Sequence, residues 1–245
     1  MWKEEERVVV THHDITVLPD TLHVDGEVAT ATLHRGLYDV LTHVLTARLQ
    51  GQFHVDVGVL AKDGNVTFGV PFLAFAVGDV RGIRRTPAFT WQGKPVAVLP
   101  GNPYKRLGDG VHAPLQAFDA KAVGDYRYHI DVELAGMEGV RFSPVAKDTR
   151  VTLQSKWPHP SFFGHVLPTR REVREDGFRS TWQTTWFAND MATVLEGDAS
   201  TAAYDFGVHL IPPIDTYRLA ERVTKYAELF VLLTFAAFLV FELVR

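Results

Sequence analysis

The chain contains eleven histidines, and histidine is the side chain that most often binds transition metals in proteins. Metal ligands tend to recur at short spacings such as His-x-His or His-Glu-x-x-His, and neither pattern occurs here. His12 and His13 are adjacent, so in a strand their side chains would point to opposite faces. His159 and His165 are six residues apart, with proline and phenylalanine residues between them. The spacing therefore predicts no metal site.

Nucleophilic catalysis often uses a serine or a cysteine that a nearby base activates. The chain has no cysteine, which also excludes disulfides and thiolate metal sites. Ser161, His159 and Asp176 supply the residue types of a Ser–His–acid site, but no Gly-x-Ser-x-Gly elbow accompanies them. Gly108-Asp109-Gly110 lacks the lysine of a phosphate-binding loop. The motifs thus predict no catalytic residues and no bound cofactor.

A stretch rich in aromatic residues lies between positions 157 and 187. Aromatic side chains stacked across strands usually build a core, and a groove for a glycan or a lipid is the functional alternative. Pro158 and Pro160 predict a stiff loop after a strand that ends near position 157. A following strand would place the aromatic residues at 178, 182 and 186 on one face. The candidates for a binding surface or a core cluster are Trp157, His159, Phe162, Phe178, Trp182 and Trp186.

The charge balance excludes one class of partner. The formal net charge is −4, from 25 basic and 29 acidic side chains. A nucleic-acid binding protein needs a basic face, so a nucleic-acid partner is excluded. The longest charge cluster before the C-terminal segment, Thr169 to Asp176, mixes both signs. This mixture indicates a solvated turn or strand end rather than a binding patch.

The C-terminal segment organises the chain. From Leu229 to Phe241 only Thr234 interrupts an apolar run, and a helix that is apolar all round must be buried in protein or lipid. The 19 residues from Tyr226 to Val244 would extend roughly 28 Å, close to the roughly 30 Å of a bilayer's hydrocarbon core. The pattern predicts a transmembrane helix that contacts the lipid bilayer. A buried core helix is the alternative.

The rest of the chain reads as β structure. From Asp125 to Leu134 apolar and polar residues alternate, which is typical of a strand with one wet face. Lys62 to Asn65 and Gln92-Gly93 each predict a hairpin turn. Strands at regular spacing with turn residues between them predict a mainly β, antiparallel sandwich-like domain over residues 1–211. An amphipathic helix that becomes a transmembrane helix should follow over residues 212–245.

Several motifs in this order carry a family resemblance. The most specific is Ser155-Lys156-Trp157-Pro158-His159-Pro160-Ser161-Phe162, followed by Trp186-Phe187-Ala188-Asn189. Others are Gly78-Asp79-Val80-Arg81-Gly82-Ile83, Gly110-Val111-His112-Ala113-Pro114-Leu115 and the helix start Tyr217-Arg218-Leu219-Ala220-Glu221-Arg222. With these motifs the chain closely resembles the CreD family of inner-membrane, cell-envelope proteins over nearly its whole length.

The resemblance implies a location and a role. Family members have an N-terminal membrane anchor, a large periplasmic domain and C-terminal membrane helices in the inner membrane of a Gram-negative-type bacterium. On this resemblance the chain corresponds to the periplasmic core plus the first C-terminal helix. The positive-inside rule, applied to Arg218, Arg222 and Lys225 alone, would instead place the domain in the cytoplasm. The resemblance favours the periplasm.

The resemblance implies a function in cell-envelope integrity or the stress response, and it brings no catalytic residues. We therefore expect a non-enzymatic protein whose periplasmic domain is a binding or bracing module. Its expected partners are the lipid bilayer and envelope proteins or glycan. The alternative hypothesis is an enzyme that acts on an envelope glycan or lipid. An enzyme should show a cleft where ionisable groups converge on a nucleophile or a metal.

Overall fold

The computed structural model describes residues 15–35, 38–56, 58, 68–104, 107–116, 123–188, 204–211 and 216–243. The chain separates into two compact units, Met1–Ile211 and Pro212–Arg245. In the described residues the first unit contains the strands β1 (Thr21–Arg35), β2 (Tyr38–Asp56), β3 (Phe72–Ala76), β4 (Ala88–Trp91), β5 (Lys94–Val96), β6 (Leu99–Pro100), β7 (Gly110–Pro114), β8 (Val123–Met137), β9 (Gly139–Phe142), β10 (Asp148–Ser155), β11 (Pro160–Gly164), β12 (Arg170–Arg174), β13 (Gly177–Thr185) and β14 (Phe206–Leu210). The second contains the helix α1 (Thr216–Leu243). The prediction of a mainly β domain followed by a C-terminal helix is confirmed.

Eight strands form one large sheet in the order β12-β13-β10-β1-β2-β8-β4-β5. The long pairings of β2 with β1 and with β8 make its centre. Strict alternation buries one face, where Val24, Val151 and Trp182 lie side by side on neighbouring strands. The opposite face is polar, and it carries an exposed ion pair between Arg48 Nε and Asp131 Oδ1 at 3.3 Å. The alternation of apolar and polar residues predicts this arrangement, in which one face of the sheet is buried and the other is exposed to solvent.

Two three-stranded sheets, β11-β14-β9 and β3-β7-β6, contribute to the same core as the apolar face of the large sheet. The Phe162 ring lies 5.7 Å from the Trp182 ring, which joins β11 to β13. The Phe75 ring lies 6.3 Å from the Phe89 ring, which joins β3 to β4. The sheets therefore form a sandwich with a shared hydrophobic core.

The strand pairings test the sequence expectations in two places. Gln92 and Gly93 connect β4 to β5 with φ angles of 51° and 74°, so both adopt the left-handed region that a two-residue hairpin turn requires. This predicted hairpin is confirmed, whereas the one at Lys62 to Asn65 lies outside the described residues. One pairing departs from the antiparallel expectation, because β1 and β10 run parallel. Strands so distant in sequence need no hairpin between them, so either direction is open to them.

The helix α1, taken by itself, has 28 residues and extends roughly 42 Å at about 1.5 Å per residue. Its stretch Lys225–Leu243 is long and apolar enough to cross a membrane. Thr234, the polar interruption, donates its hydroxyl to the Phe230 carbonyl oxygen at 2.7 Å. That hydrogen bond satisfies the hydroxyl within the helix, as a lipid environment requires. Residues 212–215, where the predicted helical segment begins, lie outside the described residues.

Candidate functional site

The strand β13 places two of the candidate aromatic residues in the core. Alternation turns Phe178, Ser180, Trp182 and Thr184 to the buried face of the large sheet. The Trp182 side chain is 0% exposed, and Phe178 is 5% exposed. The Phe162 ring contacts both, at 5.9 Å from Phe178 and 5.7 Å from Trp182, in edge-to-face arrangements. These three residues form a packed aromatic cluster.

The segment between β10 and β11 holds Trp157 and His159. The Trp157 Nε1–H donates to the Ile211 carbonyl oxygen at 3.1 Å, and its backbone N–H donates to the Ser155 hydroxyl at 3.2 Å. Trp157 is half-buried beside the core, and His159 is exposed with its ring 6.2 Å from the Trp157 ring. The stiff loop expected here is short, because Pro160 already begins β11.

Trp186 departs from the sequence expectation that it shares a face with Trp182. The strand β13 ends at Thr185, and a 3-10 turn, Trp186–Ala188, follows. The turn rotates the Trp186 side chain off the buried face and leaves it 45% exposed. Its ring lies 5.8 Å from Lys147 Nζ, and its backbone N–H donates to the Lys147 carbonyl oxygen at 2.8 Å. Strand alternation predicts side-chain direction only as far as the strand continues.

The residues of the possible Ser–His–acid site lie in three different segments of the domain. Ser161 lies in β11, His159 precedes that strand, and Asp176 lies in the turn between β12 and β13. None of the three hydrogen-bonds another. In the part of the chain that the structure describes, no group of three histidine, aspartate or glutamate side chains could hold a metal ion.

A cleft of about 300 Å³ opens at the end of β10, beside the aromatic cluster. Six of the side chains that line it are charged, three of each sign: Glu27, Glu172, Asp176, Lys156, Arg174 and Arg179. Gln154 and Phe178 also contribute to its wall. We call it the charged cleft. The sequence suggested a solvated turn or strand end from Thr169 to Asp176. The structure places most of this stretch in β12 and combines it with residues of β1, β10 and β13.

Strand pairing positions the polar side chains of the charged cleft. Gln154 lies opposite Glu27 in the parallel pair and opposite Arg179 in the antiparallel pair, while Arg179 lies opposite Glu172. Glu27, Gln154, Arg179 and Glu172 therefore form one row across β1, β10, β13 and β12. The row lies on the polar face, because its members alternate with buried neighbours such as Val28 and Phe178.

The turn beside the charged cleft is held tightly. Gly177 has a φ of 143°, and a Cβ at this position would lie 2.1 Å from the Ser155 carbonyl oxygen. Only glycine allows this contact and this backbone conformation. Behind it, the buried Ser155 hydroxyl donates to the Val28 carbonyl oxygen at 2.7 Å. The cleft thus has a fixed floor, while its charged side chains are exposed.

The charges of the cleft are only partly neutralised. Arg174 and Glu172 form an ion pair with each other. The remaining charged side chains make no hydrogen bond or ion pair within the described residues: Glu27, Lys156, Asp176 and Arg179. A ligand could therefore pair with two cations and two carboxylates at this site.

A buried histidine lies elsewhere on the core side of the large sheet. His43 of β2 is 6% exposed, and its ring covers Gly136 of β8, where an added Cβ would lie 2.8 Å from the ring. Its Nδ1 has no hydrogen-bond partner among the described residues. Burial lowers the pKa of His43 below its ordinary value, because desolvation disfavours the charged ring. The ring is therefore neutral near pH 7.

Comparisons with known proteins agree with the resemblance seen in the sequence. The profile of the family described as Inner membrane protein CreD matches residues 1–245. The Inner membrane protein CreD of Escherichia coli (strain K12) is 36% identical over 228 residues, which cover 92% of this chain. The chain spans about half the length of that relative, since the match covers 50% of it.

Two solved structures resemble the chain distantly. A Legionella pneumophila protein described as nutrient-binding shares 11% identity, with a TM-score of 0.39, over 83% of this chain and 72% of its own. An M1 zinc metallopeptidase from Deinococcus radiodurans shares 10% identity, with a TM-score of 0.34, over 79% of this chain and 42% of its own. Likenesses at this level carry no argument about function.

Proposed function

Because the chain belongs to the CreD family of inner membrane proteins, we propose that its β domain is a periplasmic binding or bracing module that supports cell-envelope integrity. The helix α1 would hold this module at the lipid bilayer. The module's partners would be envelope proteins, glycan or lipid. A role in the response to envelope stress is part of the same proposal.

The charged cleft is the observation that carries the proposal. Its wall combines six charged side chains with the amide of Gln154. Four of the six, Glu27, Glu172, Arg174 and Arg179, lie on strands whose backbones are fixed by the sheet. Rigid strands hold such groups more precisely than loops do, which favours recognition of a ligand. The aromatic cluster lies beneath the cleft, because Phe178, a residue at the cleft's edge, turns its ring to the buried face of the same sheet.

A binding role suits these side chains better than catalysis does. General acid–base chemistry needs a base within hydrogen-bond reach of the group that it activates. Among the described residues of the charged cleft, one ion pair joins Glu172 to Arg174, which are both exposed on the edge strand β12. Exposed ion pairs of this kind place charge at a surface without forming an activated nucleophile.

Periplasmic placement is open to a direct test, because the chain contains no cysteine. We would introduce a single cysteine at Glu175, in the exposed turn between β12 and β13. A membrane-impermeant maleimide should label this variant in cells whose outer membrane alone is permeabilised. The cysteine-free parent controls for background labelling. Labelling that requires lysis of the inner membrane would show that the domain faces the cytoplasm.

The cellular role needs a second experiment. A strain that lacks the protein should show increased uptake of a large hydrophobic dye, and the protein should restore the barrier when it is supplied again. A protein that lacks the β domain but keeps the membrane segment should not restore it. An unchanged barrier in the deletion strain, across osmotic and detergent stress, would contradict the proposed role.

A further inference from the structure

We propose that the charged cleft binds a short peptide that carries both a free ammonium group and a free carboxylate. This inference rests on the proposed binding function of the domain and names the ligand class of the same site. It follows from the charges of the cleft, from their spacing across the sheet and from the size of the cleft.

The charges favour a zwitterion over a ligand of one sign. Once Arg174 and Glu172 have paired, two cations and two carboxylates remain without partners in the described residues. An anionic ligand would be repelled by Glu27 and Asp176, and a cationic one by Lys156 and Arg179. A neutral sugar would leave all four charges without a counter-charge. A ligand with one charge of each sign complements both pairs.

The spacing across the sheet sets the length of the ligand. Glu27 and Arg179 lie on β1 and β13, which are separated by β10, so their backbones are two strand spacings, or about 10 Å, apart. An extended peptide advances roughly 3.3–3.6 Å per residue, so about three residues cover this distance. Gln154 lies between the two charged residues, and its side-chain amide can donate to and accept from a peptide backbone.

The chemistry of the two ends assigns an orientation. Arg179 offers a planar guanidinium that binds a carboxylate through two parallel hydrogen bonds. Glu27 offers the carboxylate for the ligand's ammonium group. The volume of about 300 Å³ lies at the lower end of the range for small-molecule sites, which suits a peptide with small side chains.

The test uses the full chain purified in detergent micelles, with trialanine as the probe. Its binding is compared with that of N-acetylated, C-amidated and doubly blocked trialanine and of a neutral disaccharide, by calorimetry. We expect the free peptide to bind and each block to weaken binding about tenfold, since each removes a charge-assisted contact. Equal binding of the free and the doubly blocked peptide would overturn the proposal, and so would preferential binding of the disaccharide.

Variants test which side chain binds each end of the peptide. Arg179→Gln should weaken binding as much as C-terminal amidation does, and the two changes together should cost little more than either alone, because they remove the same contact. Glu27→Gln should weaken binding as much as N-acetylation does, and combining these two changes should cost little more than either alone. Arg171→Gln is the matched control, because Arg171 is an exposed neighbour on β12 that does not line the cleft. A melting temperature unchanged by the three substitutions shows that the fold is intact.

Two results separate this inference from the proposed function. If Arg179→Gln weakens peptide binding as expected and also fails to restore the envelope barrier in cells, peptide binding is part of the cellular role. If no peptide binds, or if the charge-neutralised variants bind as the parent does, the peptide site is wrong. If the parent protein still restores the barrier in that case, the proposed envelope role is supported even though the peptide site is wrong.

Discussion

The Ser155 hydroxyl donates a hydrogen bond of 2.7 Å to the carbonyl oxygen of Val28, which lies 127 residues earlier in the chain. The same hydroxyl accepts from the Trp157 backbone N–H at 3.2 Å. One buried side chain thus ties the parallel pair of β1 and β10 to the segment that leads into β11. The charged cleft and the aromatic cluster meet at this residue.

The hydrogen bonds of Ser155 predict the effect of removing its hydroxyl. Ser155→Ala should destabilise the protein by about 1–3 kcal/mol, because the Trp157 N–H would be left without its partner. Denaturant unfolding of the purified protein, followed by tryptophan fluorescence, measures this change. Ser161→Ala is the control, because the Ser161 hydroxyl makes no hydrogen bond with the described residues. Equal stability of the two variants would contradict the role given to Ser155.

The burial of Trp182 predicts a large cavity effect. Trp182→Ala should cost roughly 3–5 kcal/mol, because a fully buried indole would leave a cavity between β13 and the sheet that contains β11. Trp182→Phe should cost clearly less, because it keeps a ring in place and the Trp182 Nε1 has no hydrogen-bond partner in the described residues. Thermal melts compare the two. An unchanged midpoint for the alanine variant would show that the ring is not a core element.

The position of Gly177 predicts a backbone effect. Gly177→Ala should destabilise the protein by about 1–3 kcal/mol, because the new Cβ would lie 2.1 Å from the Ser155 carbonyl oxygen in a φ region that alanine avoids. Gly78→Ala is the matched control, since open space surrounds Gly78. Chemical denaturation of both variants is the measurement. Similar midpoints for both would refute the tight contact between the turn and β10.

The lowered pKa of His43 predicts a dependence of stability on pH. Burial holds the folded-state pKa of His43 below the ordinary value of 6.5. As the pH falls below 6.5, the unfolded chain therefore binds more protons than the folded chain does. The stabilisation is fully present above about pH 6.5 and is lost as the pH falls through the folded-state pKa. Unfolding free energies across this range should vary less in His43→Leu than in the parent. A His43→Leu profile identical to the parent's would disprove the assignment.

The apolar surface of α1 predicts a cost for a charge at its centre. Phe235→Lys should raise the free energy of membrane insertion by about 2.5–3.5 kcal/mol or more, since Phe235 lies in the middle of the apolar run. Phe235→Leu should insert as the parent does. A glycosylation-based insertion assay of the helix in a host membrane protein separates the two. Full insertion of the lysine variant would show that this position does not face lipid.

Local patterns in the sequence determined much of the architecture. The period of two from Asp125 to Leu134 predicted which face of β8 is buried, because side chains alternate in any extended strand. The apolar run from Leu229 to Phe241 predicted the helix, because no polar face remains for water. Turn residues at Gln92-Gly93 predicted a hairpin, because few side chains tolerate positive φ angles. The ordered motifs predicted the family.

Only the tertiary structure decided where the charged groups meet. The charged cleft requires the parallel pairing of β1 with β10, which joins Glu27 to Gln154 across more than a hundred residues. No local pattern specifies such a pairing, because alternation constrains which face a side chain occupies and not which strand lies beside it. The exposure of Trp186 depends likewise on the end of β13, where packing against Lys147 replaces the ladder. Sequence patterns thus determine which face of a strand each side chain occupies, while long-range strand pairing determines which side chains meet in the charged cleft.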